Sequence, residues 1–563
     1  MTCPAGPAYS RSPVSTFATL CRAWLQDEYA DSPVLASQLG IEGHDDRLDD
    51  VSEAAFAARR RRTTEWLTRF ADVGAVGLTA DERIDRDFAL AILGGRAIMA
   101  DWEMWRRQPE AYVAPALGGV FTLFLHRLRP ERELVRAAAA RLREVPRLVA
   151  DGQRNLRPEL APRVYVERAL GQVRAAIRYT RDLVPREVAE PGLRAELAAA
   201  GETAGAAFEA FAAFLEGLRD RSTGDYAIGE ARYTRLLRER ELLGLDAPGL
   251  RELGRRQYAR LAEELRDFAR RIAGSDDWLA VLRALDEDHP PTPEAMRAAY
   301  AEWTARARRF LEERRLVSLP DGEECRVVPS PPFQRPVLAV ASYQTPPPFS
   351  ASRRGHFFVP FPPDGTPEAE VAKRLQANSH AGIPTTAVHE AYPGHHWHLV
   401  MAKANPSPLR RTFRTPYFSE GWALYAEHMM REQGFFADPR HEMSQVEAML
   451  FRAARIVVDT SLHAGEMSVD EAVRFMMERA NLPEPTAIAE VRRYCAWPTQ
   501  AAAYLTGCLE ILAMRERWVA ARGGADVEAL RAFHDALAGS GALPLPLAEA
   551  ALRAAEDATD SRV

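Results

Sequence analysis

The run His389-Glu390-Ala391-Tyr392-Pro393-Gly394-His395-His396 brings together residue types that can hold a metal and move a proton. It reads as the zinc-hydrolase pattern HExxH with two residues inserted before the second histidine. In HExxH, one helix presents two imidazoles a turn apart to a single metal ion. The glutamate beside the first histidine acts as general base on a water. Here the position four residues after His389 is Pro393, which cannot ligate. Proline also lacks an N–H and crowds the carbonyl four residues back, so the helix must end or bulge at Tyr392–Gly394. An unbroken helix would leave a histidine six residues on about 9 Å along the axis, too far to share one ion. With the break, His395 or His396 can come round to His389. His395, which follows a glycine, is preferred, and His396 is the alternative. Five of the chain's 13 histidines lie between His380 and His398, which argues against a chance histidine turn.

A catalytic zinc keeps three protein ligands and one open position. Downstream, Thr415 to Glu427 (TPYFSEGWALYAE) reads as a helix with Ser419 as its N-cap. Glu420, at its start, is the expected third ligand. Glu427 lies seven residues on and returns to the same face about two turns away. There it can accept the other ring N–H of a ligand histidine. The expected cofactor is one Zn²⁺ per chain, held by His389, His395 (or His396) and Glu420, with Glu390 as base.

These blocks resemble the bacterial domain-of-unknown-function family 885 (DUF 885), zinc-peptidase-like proteins of the gluzincin type. The resemblance rests on the histidine run, on Glu420 to Tyr425 (EGWALY), on Arg455 to His463 (RIVVDTSLH) and on Tyr494 to Gly507 (YCAWPTQAAAYLTG). Ser32 to Leu48 also resembles the family's opening. The resemblance implies a mainly α, zincin-like fold of gluzincin type, with a deep cleft and a small β-sheet beside the zinc helix. Gluzincins space the second histidine and the ligand glutamate similarly, which supports Glu420. In gluzincins an edge strand beside the zinc helix pairs with the extended substrate, and Gly355 to Phe361 resembles that strand. The resemblance further implies Tyr504 as the hydroxyl that stabilises the oxyanion.

Arg455, Asp459 and His463 recur every four residues and make one polar stripe. His463 is a candidate donor to the substrate carbonyl. Arg455 and Asp459 either orient it or form an ion pair of their own. Pro498 suits the first turn of a helix, which would put Gln500, Tyr504 and Gly507 on one face. Gly507 would then let another element approach closely, and Gln500 could steady nearby polar groups. Arg492 or Arg493 is a candidate fork for a substrate carboxylate.

The rest of the chain must position these groups. Its 563 residues are 47% hydrophobic and 27% charged, with a net charge of −6. That balance suits a globular chain with a sizeable core and no polyanion partner. Arg59 to Arg62 is the one basic cluster, and it reads as a solvated helix face rather than a nucleic-acid surface. Five scattered cysteines (Cys3, Cys21, Cys325, Cys495, Cys508) fit neither a disulfide framework nor a thiolate metal site. No apolar run approaches a membrane span, and the N-terminus lacks a secretion-signal pattern. The expected location is the cytoplasm.

Helical periods dominate 52–73, 81–108, 131–150, 162–184, 190–219, 228–273 and 292–315, with breaks at Pro130, Pro185 and Gly217. From about 316 to 368 proline becomes frequent. β-Prone segments stand there at Cys325–Val328, Pro336–Val340 and His356–Val359. The expected organisation is a helical region, 1–315, on one side of the cleft and a catalytic region, 316–563, within one continuous unit. The expected activity is zinc-dependent hydrolysis of a peptide or peptide-like amide bond. One alternative is a tailoring enzyme acting on a non-peptide amide of a small metabolite. Another is a binding scaffold without catalysis, against which stands Glu390, a proton-transfer residue rather than a ligand.

Overall fold

The computed structural model describes residues 15–335, 340–363, 365–524 and 526–560, the last four by backbone alone. The chain is mainly helical, with one small sheet. The long helical segments expected from periodicity are present, except that 228–273 is broken between Arg240 and Ala247 and 81–108 is interrupted after Ala100. Examples are Glu53–Asp72, Glu131–Asn155, Pro191–Arg219, Ala247–Ala273 and Pro293–Arg314. Their starts follow local chemistry. Asp246 and Thr292 accept from backbone amides at the heads of the last two, and proline fills the first turn of both. Thr79 and Glu82 form a reciprocal capping box at the head of Ala80–Ala100. Gly217 does not end its helix, which runs on to Arg219. Among the described residues, no helix is long and apolar enough to cross a membrane.

The largest core draws together Phe17, Trp24, Leu250 and Leu311 with Trp422, Leu505 and Leu552. Residues on both sides of position 316 therefore share it. A second core lies within Val34–Leu218 and takes in Phe333. A third joins Tyr165 to residues between Ala454 and Ala501. Two helix pairs hold the site. Ala247–Ala273 packs along Pro439–Ala464, and Pro416–Glu432 packs against Ala503–Ala521. In the second pair Gly421 meets Gly507, and a Cβ at either would overlap the other helix's backbone. The two glycines thus set the close approach that brings Glu420 and Tyr504 near one another.

The sheet contains β1 (Glu324–Pro329), β2 (Ser342–Gln344) and β3 (Arg354–Val359), in the order β1-β3-β2. β1 runs parallel to β3 with Val327 opposite Phe357, and β2 runs antiparallel with Tyr343 opposite Phe357. Of the expected segment Pro336–Val340, all but Val340 falls outside the described residues. The segment expected to offer a free edge, Gly355 to Phe361, instead contains the central strand. Its backbone is paired on both sides at His356, Phe357 and Phe358. The edge nearest the candidate site belongs to β2, whose preceding residues Val340 and Ala341 line the cavity described below.

Candidate metal centre and cavity

The helix carrying His389 runs Ile383–Glu390 and stops there. Ala391 leaves helical geometry (φ −113°, ψ −85°), and the Tyr392–Pro393 peptide is cis. A new helix, His395–Ala402, starts immediately after Gly394. The chain folds back over the first helix's end, where the Gly394 N–H donates to the Val388 carbonyl at 3.1 Å. A side chain at Gly394 would overlap the His389 carbonyl, so only glycine fits this turn. The Trp422 indole N–H, from Pro416–Glu432, donates to the Pro393 carbonyl at 2.8 Å and fixes the turn to the helix that carries Glu420.

This break brings His389, His395 and Glu420 together, with one ligand atom from each within 4.8 Å of the others. His395 Nε2 stands 3.3 Å from Glu420 Oε2, and His389 Nε2 stands 3.7 Å from the same oxygen. Ligands about 2.1 Å from one tetrahedral zinc lie about 3.4 Å apart, so the donor set fits that ion. Glu427 Oε1 accepts from His389 Nδ1 at 2.6 Å, which leaves Nε2 facing Glu420. Burial opposes charge on His389, but the Glu420 and Glu427 carboxylates outweigh it and hold the imidazole up at about 9. Glu420 sits well below the usual carboxylate range: burial opposes its charge, but the His395 and His389 imidazoles prevail.

His396, the alternative ligand, is directed elsewhere. It is fully buried, with Nε2 2.7 Å from Glu323 Oε2 and Nδ1 2.8 Å from the Tyr343 hydroxyl. Glu323 also accepts from the Tyr392 hydroxyl and from Arg308 Nε at 2.8 Å. Burial resists charge on Glu323, yet these donors bring it down to about 2. Adjacent histidines near the start of a helix point about 100° apart, so one faces His389 and Glu420 and the other anchors the break to β2.

Glu390 is 6% exposed, and its Oε2 has no hydrogen-bond partner. Burial pushes its carboxyl above the ordinary value, against the pull of His389 and His395. With His389, Glu427 and Tyr504 it lines a cavity of about 700 Å³. Tyr504 stacks on His389 with ring centres 6.3 Å apart, and the Arg455 guanidinium lies 4.6 Å from its ring centre. Gln500 Nε2 donates to the Tyr504 hydroxyl at 3.2 Å, while Gln500 Oε1 accepts from Arg493. Arg493 can only donate, so the amide is oriented with its N–H toward Tyr504. The tyrosine oxygen then accepts, and its own proton is left for the cavity.

Other expected site residues lie apart from this point. His463 does not face the substrate space. It is fully buried and does not line the cavity, and its Nε2 is 3.1 Å from the Tyr494 carbonyl. Asp459 is occupied by the Tyr233 hydroxyl and by the Thr499 N–H at 3.1 Å. Burial pushes its carboxyl up to about 7. Arg455 pairs with Glu490 at 2.5 Å rather than with Asp459. Arg493 pairs with Glu490 at 2.9 Å, and Arg492 pairs with Glu167 at 2.7 Å. Neither is free to fork a substrate carboxylate. The glutamate helix is capped by Thr415 rather than Ser419, and the helix bearing Tyr504 begins at Ala503 rather than near Pro498. Thr499, with φ +74°, turns the chain before it.

Sequence reasoning missed Glu323, Tyr343, Glu490 and Arg452 as parts of this site. Arg452 lines the cavity, and its Nη2 lies 4.0 Å from Glu427 Oε1. It stands just ahead of the polar stripe that begins at Arg455, a signal that could have found it. The other three reach the site only through tertiary packing.

The fold recurs in two solved structures. One, from Shewanella oneidensis, is described as a "putative lipoprotein of unknown function". It is 21% identical with a TM-score of 0.76, covering 95% of this chain and 99% of that one. The other, described as a "putative lipoprotein" from Colwellia psychrerythraea, is 18% identical with a TM-score of 0.81, covering 97% and 100%. At these identities the likeness shows the fold alone. No curated protein matches the chain. The profile of the family described as "Bacterial protein of unknown function (DUF885)" matches residues 33–552, and the chain belongs to that family.

Proposed function

We propose that this protein is a zinc-dependent hydrolase of peptide or peptide-like amide bonds, built on a zincin-like arrangement. The observation that carries this reading is the convergence of His389, His395 and Glu420, with His389 and Glu390 lining one cavity. His389, His395 and Glu420 would hold the ion. When bound, zinc supplies Lewis acidity, which polarises a carbonyl and makes water easier to deprotonate.

The chain's own residues do the rest. Glu390 is buried, lacks a partner on Oε2 and has a raised proton affinity, as a base that must take a proton and return it requires. It takes the proton of the attacking water and passes it to the leaving amine. Glu427 holds the His389 tautomer. Tyr504, its oxygen already accepting from Gln500, offers its proton to the oxygen that gains charge. Arg455, against the ring of Tyr504, favours negative charge nearby.

The test separates ligand from base. Purified protein should carry about one zinc, and Glu420→Ala should lose it. Glu390→Gln should keep zinc while turnover of a mixed peptide library falls by about a thousandfold. Full zinc occupancy in the Glu420→Ala protein would remove the site, and full turnover in Glu390→Gln would remove the mechanism.

A further inference from the structure

The cavity extends well beyond the metal end. One face of Pro439–Ala464 lines it from Ser444 to Arg455, which at about 1.5 Å per residue spans roughly 16 Å. The charge on this wall changes along its length. Arg452 and Arg455 lie toward the metal end, and Glu447 lies at the other. Asp286, on the separate helix Trp278–Asp286, faces the same far end. The Asn481 amide connects the two acids: Nδ2 donates to Glu447 Oε1 at 3.3 Å, and the side chain also reaches Asp286.

Several buried or partly buried acids in the molecule have cationic partners. Glu490 has Arg455 and Arg493, Glu323 has Arg308, and Asp85 has Arg410 at 2.6 Å. Among the described residues, no cation pairs with Asp286 or Glu447. Arg283 and Lys373 line the cavity too, but both are exposed. Burial pushes Asp286 up to about 6, and burial with Asp286 nearby pushes Glu447 up to about 8. The pair thus has no ion-paired cation from the fold, and Arg452 acts on Glu447 only at longer range. A separate observation points to a polar ligand in this space. Thr385, on the helix of His389, also lines the cavity. It is 4% exposed, and its hydroxyl has no partner.

We propose that Asp286 and Glu447 form a subsite for a cationic amine, so that the substrate is a short peptide or amide bearing a free ammonium group. This rests on the hydrolase reading for what happens at the metal end. Glu447 stands roughly 7.5 Å along the helix from Arg452, about two residues of extended chain. Arg452 in turn reaches Glu427 beside His389, so the ammonium group lies two or more residues from the reacting carbonyl. It is supplied either by the substrate's α-amino end or by a lysine side chain. The Asn481 amide and the Thr385 hydroxyl supply neutral hydrogen bonds along the way.

The experiment is calorimetric binding to the full-length, zinc-loaded Glu390→Gln protein, which removes the base. The probes are trialanine, N-acetyl-trialanine, N-acetyl-Ala-Lys-Ala and, as a peptide-free amine, cadaverine. Trialanine should bind at least about tenfold more tightly than its acetylated form, the worth of one charge-assisted contact. A lysine-side-chain source would instead show as tight binding of N-acetyl-Ala-Lys-Ala. In the isosteric Asp286→Asn/Glu447→Gln variant, with its melting temperature checked, either preference should vanish. Equal affinity for all three peptides overturns the amine subsite and leaves the hydrolase reading intact. Binding of cadaverine that depends on the two acids, with no peptide binding, keeps the subsite and removes the peptide reading. If no probe binds, or if the double variant retains the preference, the subsite is wrong.

Discussion

Two buried clusters in this molecule use the same residue types to opposite ends. Around His389, two imidazoles and Glu420 converge beside a cavity, and Glu390 keeps an oxygen without a partner. Around Asp459 and His463, a carboxylate and an imidazole are likewise buried. They are met by the Tyr233 hydroxyl, the Thr499 N–H and the Tyr494 carbonyl. The first cluster leaves its donor atoms facing open space, and the second directs them into packing. Burial and residue type therefore do not distinguish a site from a brace. What distinguishes them is access to open space: Asp459 Oδ1 and His463 Nδ1 also lack partners, but only His389 and Glu390 line a cavity.

The contrast is sharpest in paired histidine variants. His395→Ala should abolish zinc binding and peptide hydrolysis with little change in melting temperature, because His395 is only partly buried. His463→Ala should do the reverse. It should lower stability by on the order of 2 kcal/mol, the cost of opening a buried, hydrogen-bonded position, and retain its zinc. Metal analysis and thermal unfolding of the two proteins decide the matter. Loss of zinc from His463→Ala at a temperature where it remains folded would erase the distinction.

The clusters also differ in how well the sequence announced them. The long helices were legible because hydrophobic periodicity acts over a few residues, although the start capped by Asp246 was missed inside the expected stretch 228–273. The convergence of His389 and His395 was legible because Pro393 forbids the ordinary spacing and leaves few ways to bring a second histidine back. The direction of each side chain was harder to read. Spacing every four residues put Arg455, Asp459 and His463 on one face. It could not say that this face turns from cavity to packing along its length, since that depends on which helix lies opposite. The central position of β3 was hidden for a similar reason. Its parallel partner β1 lies across a loop, and pairing at that distance leaves no local mark. Glu323 anchors His396 from a turn whose sequence shows nothing of its task.

A second test moves to the cavity side of the comparison. Tyr504→Phe removes a hydroxyl and little volume, so zinc content and fold should survive. Turnover should fall by about a hundredfold with a much smaller change in KM, since the contact forms mainly in the transition state. A third test uses pH. Below about 9, His389 in the metal-free protein carries a proton that zinc must expel. Zinc affinity should therefore fall as pH falls, by up to about tenfold per unit between pH 8 and 6. An affinity independent of pH over that range would show that His389 is not a ligand.

The smallest effect probes how the brace serves the site. Arg493 fixes Gln500, and Gln500 donates to Tyr504. If this orientation is what frees the tyrosine proton, the sign of the group at 500 matters more than its size. Gln500→Leu removes the donor and leaves the hydroxyl free to turn, so kcat should fall by about tenfold. Gln500→Glu keeps the shape and the bond to Arg493 but presents an acceptor to Tyr504. The tyrosine proton would then point toward residue 500 and away from the cavity. That variant should lose more than Gln500→Leu, up to the loss seen for Tyr504→Phe. In a Tyr504→Phe background both changes should have little further effect, because the hydroxyl they act through is gone. A merely structural role for Gln500 predicts the opposite pattern: Leu worse than Glu, losses shared between kcat and melting temperature, and additivity with Tyr504→Phe. Measuring kcat and thermal stability for the cycle separates a proton-directing amide from a packing one.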